Sequence, residues 1–444
     1  MKTIAIKLKP RLTYRVWSVG LATSFSAILL APSGALGEAT HAPAKVPTKL
    51  PQSFYIDGTY NRVVVRKVDD AIANKLYSKK LAQTVWKDAL KKNFANIVSS
   101  RNMQELSSSM GAVFAELHTS HCNFVTTNDE MYYFLHALFG DFNRKLRKGK
   151  VDYVGCFIGG QPFERNQVRY ILDGSPAAKA GLQIGDRVLK VNDTDYVGYT
   201  NFLGTAGTKS SILIERNGVT KTLSIKPGKE DLYSAYCDAT RNSVKIEEIN
   251  GKKIGYIHVW SGGRRSFEAL DEMMEEKLAD TDGLIFDMRD GYGGNSLSDL
   301  DRFYRDPKAY PDFVTVGRDG KKNTSRYYYD KPMVAIINGG SRSGKELLSF
   351  SLKRTGRAKL VGMKTAGAVL AGSVTPIDDK CSVYIAVLDG TMGGERLEGV
   401  GVAPDIEIDN TTHDQAGYEK QLSVARDALI ELMKQPSGGN KPVQ

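Results

Sequence analysis

Apolar and polar positions change their rhythm twice along this chain. From Val68 to about Lys148 the apolar residues recur at helical intervals: Ala71, Ile72, Leu76, Leu81 and Trp86, then Leu106, Met110, Val113, Phe114 and Leu117. That spacing is what a helix with one buried face produces. Between 151 and 228 short strand-like runs such as Val168-Arg169-Tyr170-Ile171 and Ile212-Leu213-Ile214 alternate with glycine-rich turns. From there to about residue 435 strand and helix signals take turns, which argues for an α/β core. A chain of 444 residues is too long for one small core. It therefore reads as a helical N-terminal region (53–150), a small β domain (151–228) and an α/β core (229–435), ending in a polar tail (436–444). No internal repeat is visible.

The first residues have another origin. Lys2, Lys7, Lys9, Arg11 and Arg15 precede an apolar segment from Val16 to Ala31, and Ala35-Leu36-Gly37 offers the small residues a signal peptidase reads. Residues 1–37 are expected to be a secretory signal, too short in its apolar part for a convincing membrane span. Residues 38–52, rich in Ala, Pro, Lys and Thr, read as a flexible leader. No later stretch is apolar and long enough to cross a bilayer, so a soluble exported protein, periplasmic or secreted, is expected.

Charge adds little. The formal net charge of +11 falls to +6 once the five signal cations are removed, and no basic run is interleaved with aromatics, which argues against nucleic-acid binding. Cys122, Cys156, Cys237 and Cys381 are widely spaced, without a metal-ligand pattern, so neither zinc nor another cofactor is expected. In an oxidising compartment an even count permits two disulfides, with buried free thiols as the competing reading.

The candidate chemistry lies in residues 331 to 367. An apolar run, Val334 to Ile337, reads as a buried strand; it breaks at Asn338-Gly339-Gly340, passes Ser343, and gives way to helical spacing from Glu346 to Leu352. A serine on a glycine-rich strand-to-helix turn is where hydrolases expose a nucleophile, with amides at the helix start able to stabilise an oxyanion. Gly339 to Lys345 also fits the start of a phosphate-binding loop, but Glu346 stands where that motif needs a hydroxyl for magnesium. The nucleotide reading is the weaker one. Gly291, Gly293 and Ser296 likewise fail to supply a dinucleotide fingerprint.

In the β domain the string from Asp173-Gly174-Ser175-Pro176 through Gly181 and Gly185-Asp186 to Arg187-Val188-Leu189-Lys190-Val191 encodes a capped helix, a turn and a strand. It resembles a PDZ domain in the circularly permuted form of bacterial processing proteases. That resemblance implies capture of a C-terminal peptide as an added strand, with Gly155, Cys156, Phe157 and Ile158 forming the carboxylate-binding loop and Phe157 and Ile158 lining its pocket.

Gly255-Tyr256-Ile257-His258-Val259, the run from Gly283 to Asn295, Arg357-Ala358-Lys359-Leu360-Val361-Gly362 and Gly399-Val400-Gly401-Val402-Ala403-Pro404-Asp405-Ile406 together resemble the carboxyl-terminal processing, or tail-specific, serine peptidases. The resemblance covers nearly everything after the signal. It implies a crotonase-like α/β protease core, Ser343 as nucleophile, and an oxyanion hole from Gly344 with Gly293 or Gly294. Most members carry a lysine base after a Thr-x-Gly motif; here Thr365-Ala366-Gly367 is followed by Ala368, which cannot accept a proton. Leu117-His118-Thr119-Ser120-His121-Cys122 resembles the tricorn-type branch, which implies His121 as base with Ser120 and Glu398 behind it. His118, Lys345 and Lys364 compete for the same role.

The expected function is an exported serine endopeptidase that captures protein substrates by free C-terminal tails. The rival is a peptide-binding relative that lost its base along with the lysine. Substrate, cleavage preference, oligomeric state and disulfide pairing are not written in the sequence.

Overall fold

The sheet at the centre of the α/β core is built from the most apolar runs of the chain. In the computed structural model, which describes residues 55–159, 165–304, 313–325, 328–410 and 412–434, Gly283–Asp287 and Met333–Ile337 are buried at every residue. Parallel strands covered on both faces require such runs. The expected signal, flexible leader and polar tail (1–37, 38–52 and 436–444) lie outside the described residues.

Six strands follow one another in the order Lys245–Ile249, Lys252–His258, Gly283–Asp287, Met333–Ile337, Lys359–Gly362 and Ile406–Glu407. The first two pair antiparallel and the other neighbours are parallel. Alternate side chains enter different cores, as the two-residue period of a strand dictates. Leu284, Phe286, Ala335 and Ile337 pack with helices Arg264–Glu276 and Gly344–Arg354; Ile285, Val334 and Ile336 pack with the C-terminal helix Gln415–Lys434.

Helices Gly58–Lys75, Lys79–Gln83, Val85–Ser99 and Met103–Ala115 form the N-terminal region around Ile72, Trp86, Leu106 and Met110. Asp57 and Asn102 accept hydrogen bonds from the amides of Tyr60 and Glu105, capping the first and last of them. Helical periodicity then breaks at Asn123–Thr126. This strand pairs with Cys381–Leu388, which in turn pairs with Ala371–Pro376. A four-residue strand between helices escapes a periodicity reading, yet it carries the segment around His121 to the core.

In the β domain Arg187–Val191, Thr194–Asp195, Ser210–Arg216 and Val219–Ile225 form one sheet, and Cys156–Ile158 pairs with Val168–Ile171. Ser175 Oγ accepts from the Ala178 amide at 3.1 Å to start helix Pro176–Lys179. Gly181, at φ +77°, follows its end. The disulfides that the cysteine count permitted do not form: all four thiols are free and buried. Cys156 and Cys237 lie in separate cores, and Cys122 and Cys381 pack as small apolar residues in a third.

Beneath the glycine-rich loop, Arg289 is fully buried and grips Asp287 with Nη2–Oδ2 and Nε–Oδ1 distances of 2.5 and 3.0 Å. Its guanidinium stacks over Tyr418 at 3.3 Å and donates to the Tyr418 carbonyl at 2.7 Å, tying the C-terminal helix to the sheet. Burial pushes the Asp287 carboxyl up, but Arg289 and His258 outweigh it and hold it below the usual range. Removing one partner strands the other charge. Arg289→Leu is therefore expected to lower stability by roughly 3–5 kcal/mol, read as a shifted urea midpoint. Asp287→Asn with Arg289→Leu should recover much of that loss; no recovery would show that the guanidinium acts by packing rather than by charge.

Candidate active site

The strand Met333–Ile337 ends in a turn fixed by side chains. Asn338 Oδ1 accepts from the amides of Gly340 and Asp290 at 2.9 and 3.1 Å, and Ser341 Oγ donates to the Met288 carbonyl at 2.9 Å. The next residue but one, Ser343, takes φ +57° and ψ −126° immediately before helix Gly344–Arg354. An L-residue rarely adopts that conformation, so the surroundings must hold it there.

Glu346 does much of the holding. Its Oε2 accepts from the amides of Ser343 and Ala368 at 3.2 and 2.7 Å, and its Oε1 from Thr365 Oγ1 and the Gly367 amide at 2.6 and 2.7 Å. Burial pushes this carboxyl up and the four hydrogen bonds only partly offset that. The residue that spoiled the phosphate-loop pattern is thus the clamp between the serine turn and the loop bearing Ala368. The sequence signal was available: an acid three residues after a serine at a helix start.

The glycine-rich loop lies directly against this turn. A Cβ on Gly293 would meet Ser343 Cβ at 2.5 Å, and one on Gly344 would meet the Asn295 backbone at 2.4 Å. Only glycine permits this approach. The amides of Gly293, Gly294 and Gly344 donate to no hydrogen bond among the described residues, so three free donors surround the serine.

His121 reaches the same place from the N-terminal region. Ser120, His121, Gly293, Gly294, Ser343 and Ala368 all line one cavity of about 360 Å³. Ser120 Oγ lies 2.8 Å from His121 Nδ1 and donates to Glu398 Oε2 at 3.0 Å, while the Ser120 amide donates to Glu398 Oε1 at 3.0 Å. Since the serine proton goes to the carboxylate, Nδ1 must carry the other proton and donate to Ser120 Oγ. That leaves Nε2 with its lone pair. No hydrogen bond joins His121 to Ser343, although both line the same cavity. Burial, with the nearby Arg342 charge second, lowers the imidazole pKa to about 4.

The competing bases lie elsewhere. His118 is exposed and borders a different cavity. Lys364 is exposed, and Lys345 is fully buried with Nζ donating to the Asp290 carbonyl. Neither lysine lines the cavity of Ser343. Ala368 does, and its carbonyl accepts from the Ser343 amide at 2.7 Å.

In the β domain, Gly155 has φ +78° and Cys156 is buried in the domain core. Phe157 stacks on Tyr170 at 5.2 Å, facing Tyr292 and the α/β core, whereas Ile158 packs inside the β domain. The pairing with Val168–Ile171 is irregular between these two residues, and their side chains join different apolar clusters. Among the described residues, no group of three or more His, Cys, Asp or Glu could hold a metal, and no helix is long and apolar enough to cross a membrane.

A parallel α/β core with a strained serine turn against a glycine-rich loop, preceded by a PDZ-like β domain and a helical region, is a peptidase type of architecture. Residues 253–408 match the model of peptidase family S41, and residues 167–201 match that of the PDZ domain. The carboxy-terminal-processing protease of Bartonella bacilliformis is 25% identical over 309 residues, 63% of this chain and 66% of that protein. The carboxy-terminal processing protease CtpB of Bacillus subtilis is 25% identical over 256 residues, 55% of this chain and 52% of that one. The chain thus spans about two thirds or less of the length of these relatives. Among solved structures the tricorn protease shares the fold, with a TM-score of 0.50 and 18% identity over 85% of this chain and 37% of that one.

Glu346→Gln keeps the shape of the clamp but replaces one acceptor oxygen with a donor facing the Ser343 and Ala368 amides or the Thr365 and Gly367 groups. A loss of roughly 3 kcal/mol is expected, since buried donors lose their acceptor. The serine turn should loosen with it. Wild-type urea midpoint together with wild-type reactivity of Ser343 would refute the clamp.

Proposed function

We propose that this protein is an exported serine endopeptidase that captures protein substrates through their C-terminal tails and cuts them by an acyl-enzyme mechanism. The observation that carries this reading is the hydrogen-bonded chain from Glu398 through Ser120 to His121, which lines the same cavity as Ser343. A relative that had simply lost its base would have no need of it.

His121 Nε2 takes the proton from Ser343 Oγ as that oxygen attacks the peptide carbonyl carbon. The amides of Gly344 and of Gly293 or Gly294 receive the oxyanion, a contribution of about 2.7–4 kcal/mol to the barrier per donor in comparable sites. The imidazolium then gives its proton to the departing amine, and the same nitrogen activates water to release the acyl group. The buried imidazole is a weak base at rest. The oxyanion that forms beside it supplies the negative charge that makes its protonation favourable. Ser120 and Glu398 act by position, holding the tautomer from the far side of the ring.

Tail capture has its own support. Strand Cys156–Ile158 pairs on one side only among the described residues, so its second edge is open to an added strand. With the Phe157 ring turned toward the peptidase core, the backbone from Gly155 to Ile158 is the part left to receive a carboxylate.

Three outcomes test the reading in protein lacking its leader. A fluorophosphonate should label Ser343, and Ser343→Ala and His121→Ala should lower turnover of a disordered protein to a similar degree, because members of such a unit are not additive. Tail binding without labelling would favour the inactive peptide-binding relative. Neutral His121 is the base, so kcat/KM should rise with pH through a midpoint of about 4 and stay nearly flat across the neutral range. A midpoint displaced to the ordinary histidine value would mean the ring is solvated in solution. Amidating a substrate's C-terminus should weaken its capture about tenfold, since a charge-assisted hydrogen bond is lost; equal capture would exclude carboxylate recognition by the loop at Gly155.

A further inference from the structure

One side chain in the cavity has no part in this mechanism. Arg342 immediately precedes the nucleophile and lines the cavity beside His121 and Ser343. Its guanidinium makes no hydrogen bond or ion pair among the described residues. Arg342 is half-buried, and a guanidinium keeps its charge and its five donors in proteins.

Among the described residues, the acids near it have their oxygens engaged by other groups. Glu346 gives both oxygens to Ser343, Thr365, Gly367 and Ala368. Glu398 is taken by Ser120 and by the Val369 and Leu370 amides. Asp290 is paired with Arg169 at 3.0 Å and bonded by Asn338. Glu130, bonded by Tyr236 under the same aromatic cluster, is pushed by burial up to about 8 and is uncharged at neutral pH. The remaining wall is apolar or aromatic, with Phe134, Leu138, Phe139 and Tyr384 among it. Arg169 adds a second positive field at Arg342. Glu346 acts on Arg342 as a charge without reaching it by a hydrogen bond, so the donors of the guanidinium are left to the cavity.

We propose that Arg342 is a specificity-determining residue that receives a carboxylate of the bound peptide, so that bonds lying next to a carboxylate are cut in preference. Extended peptide advances ~3.3 Å per residue, and Arg342 adjoins the nucleophile, so the carboxylate lies within about two residues of the scissile bond. Two sources share this chemistry: an Asp or Glu side chain, and the α-carboxylate of a peptide cut close to its end. The inference rests on the serine peptidase reading above.

The test uses the mature protein and matched quenched peptides. One series exchanges Asp for Asn at each of the two positions on either side of the cut; another exchanges a free C-terminus for an amide on short peptides. At least a tenfold higher kcat/KM is expected for the acid member of one series, and which series responds identifies the source. Arg342→Gln should collapse that ratio to near one, Arg342→Lys should restore part of it, and Arg342→Glu should favour the same peptide with Lys. An amide effect that survives Arg342→Gln belongs to the PDZ loop and counts against Arg342. Fluorophosphonate labelling of Ser343 in the wild type separates the two readings. Labelling with equal cleavage of acid and neutral peptides overturns the role of Arg342 alone, while absence of labelling overturns the peptidase reading beneath it. The wild-type peptide panel decides the matter even where a variant does not fold.

Discussion

A single buried carboxylate, Glu346, holds together the pieces on which the site depends. It sits one turn into the helix that follows Ser343 and accepts hydrogen bonds from the serine turn and from Thr365, Gly367 and Ala368. Thr365 passes the constraint on by accepting from the Val402 amide at 2.7 Å. Three loops that leave the sheet at different strands are thereby fixed to one point. A neutral acceptor could not satisfy four donors with two oxygens so strongly, because hydrogen bonds to an ionised group are about twice as strong as neutral ones. Without that carboxylate the backbone at Ser343 would relax to a commoner conformation, and the glycine-rich loop would lose the surface it rests on.

The second organising element is the short sheet that joins the N-terminal helical region to the core. Asn123–Thr126 adds to the hairpin of Ala371–Pro376 and Cys381–Leu388. It thereby sets Ser120 and His121 beside Glu398 and the loop of Ala368. The cavity is consequently assembled from an N-terminal helical region and a C-terminal core, neither of which holds a complete set of groups. Its aromatic wall follows from this construction. Aromatic side chains from both parts close over the histidine, and that burial, more than any neighbouring charge, sets its protonation.

The fold was readable where the pattern was long and strongly periodic. Val334 to Ile337 proved to be a central strand, the turn at Ser343 fell between strand and helix as its glycines implied, and the string from Ser175 to Val191 formed its capped helix, turn and strand. Strand Asn123–Thr126 was not readable, because four residues carry too little period and its partner lies more than 250 residues away. Ser120, His121 and Glu398 could be named only by resemblance; nothing in local spacing says that they meet. Phe157 and Ile158 were assigned to one pocket by resemblance, and their side chains join different clusters across an irregular pair. Glu346 was weighed only as a failed magnesium ligand, and Arg342 not at all, since an unpaired charge becomes visible only when every acid around it has been accounted for.

The backbone at two of these residues carries a cost of its own. Ser343 and His121 both have φ +57°, a region that costs an L-residue about 1–2 kcal/mol and glycine almost nothing. Replacing either by glycine would relieve that strain but remove the contacts of the side chain: the capping box that Ser343 forms with Glu346, and the packing of the His121 ring on Tyr384 and its bond to Ser120. Backbone and side chain thus pull in opposite directions at these two positions, and each residue stays where it is only as long as its neighbours hold it.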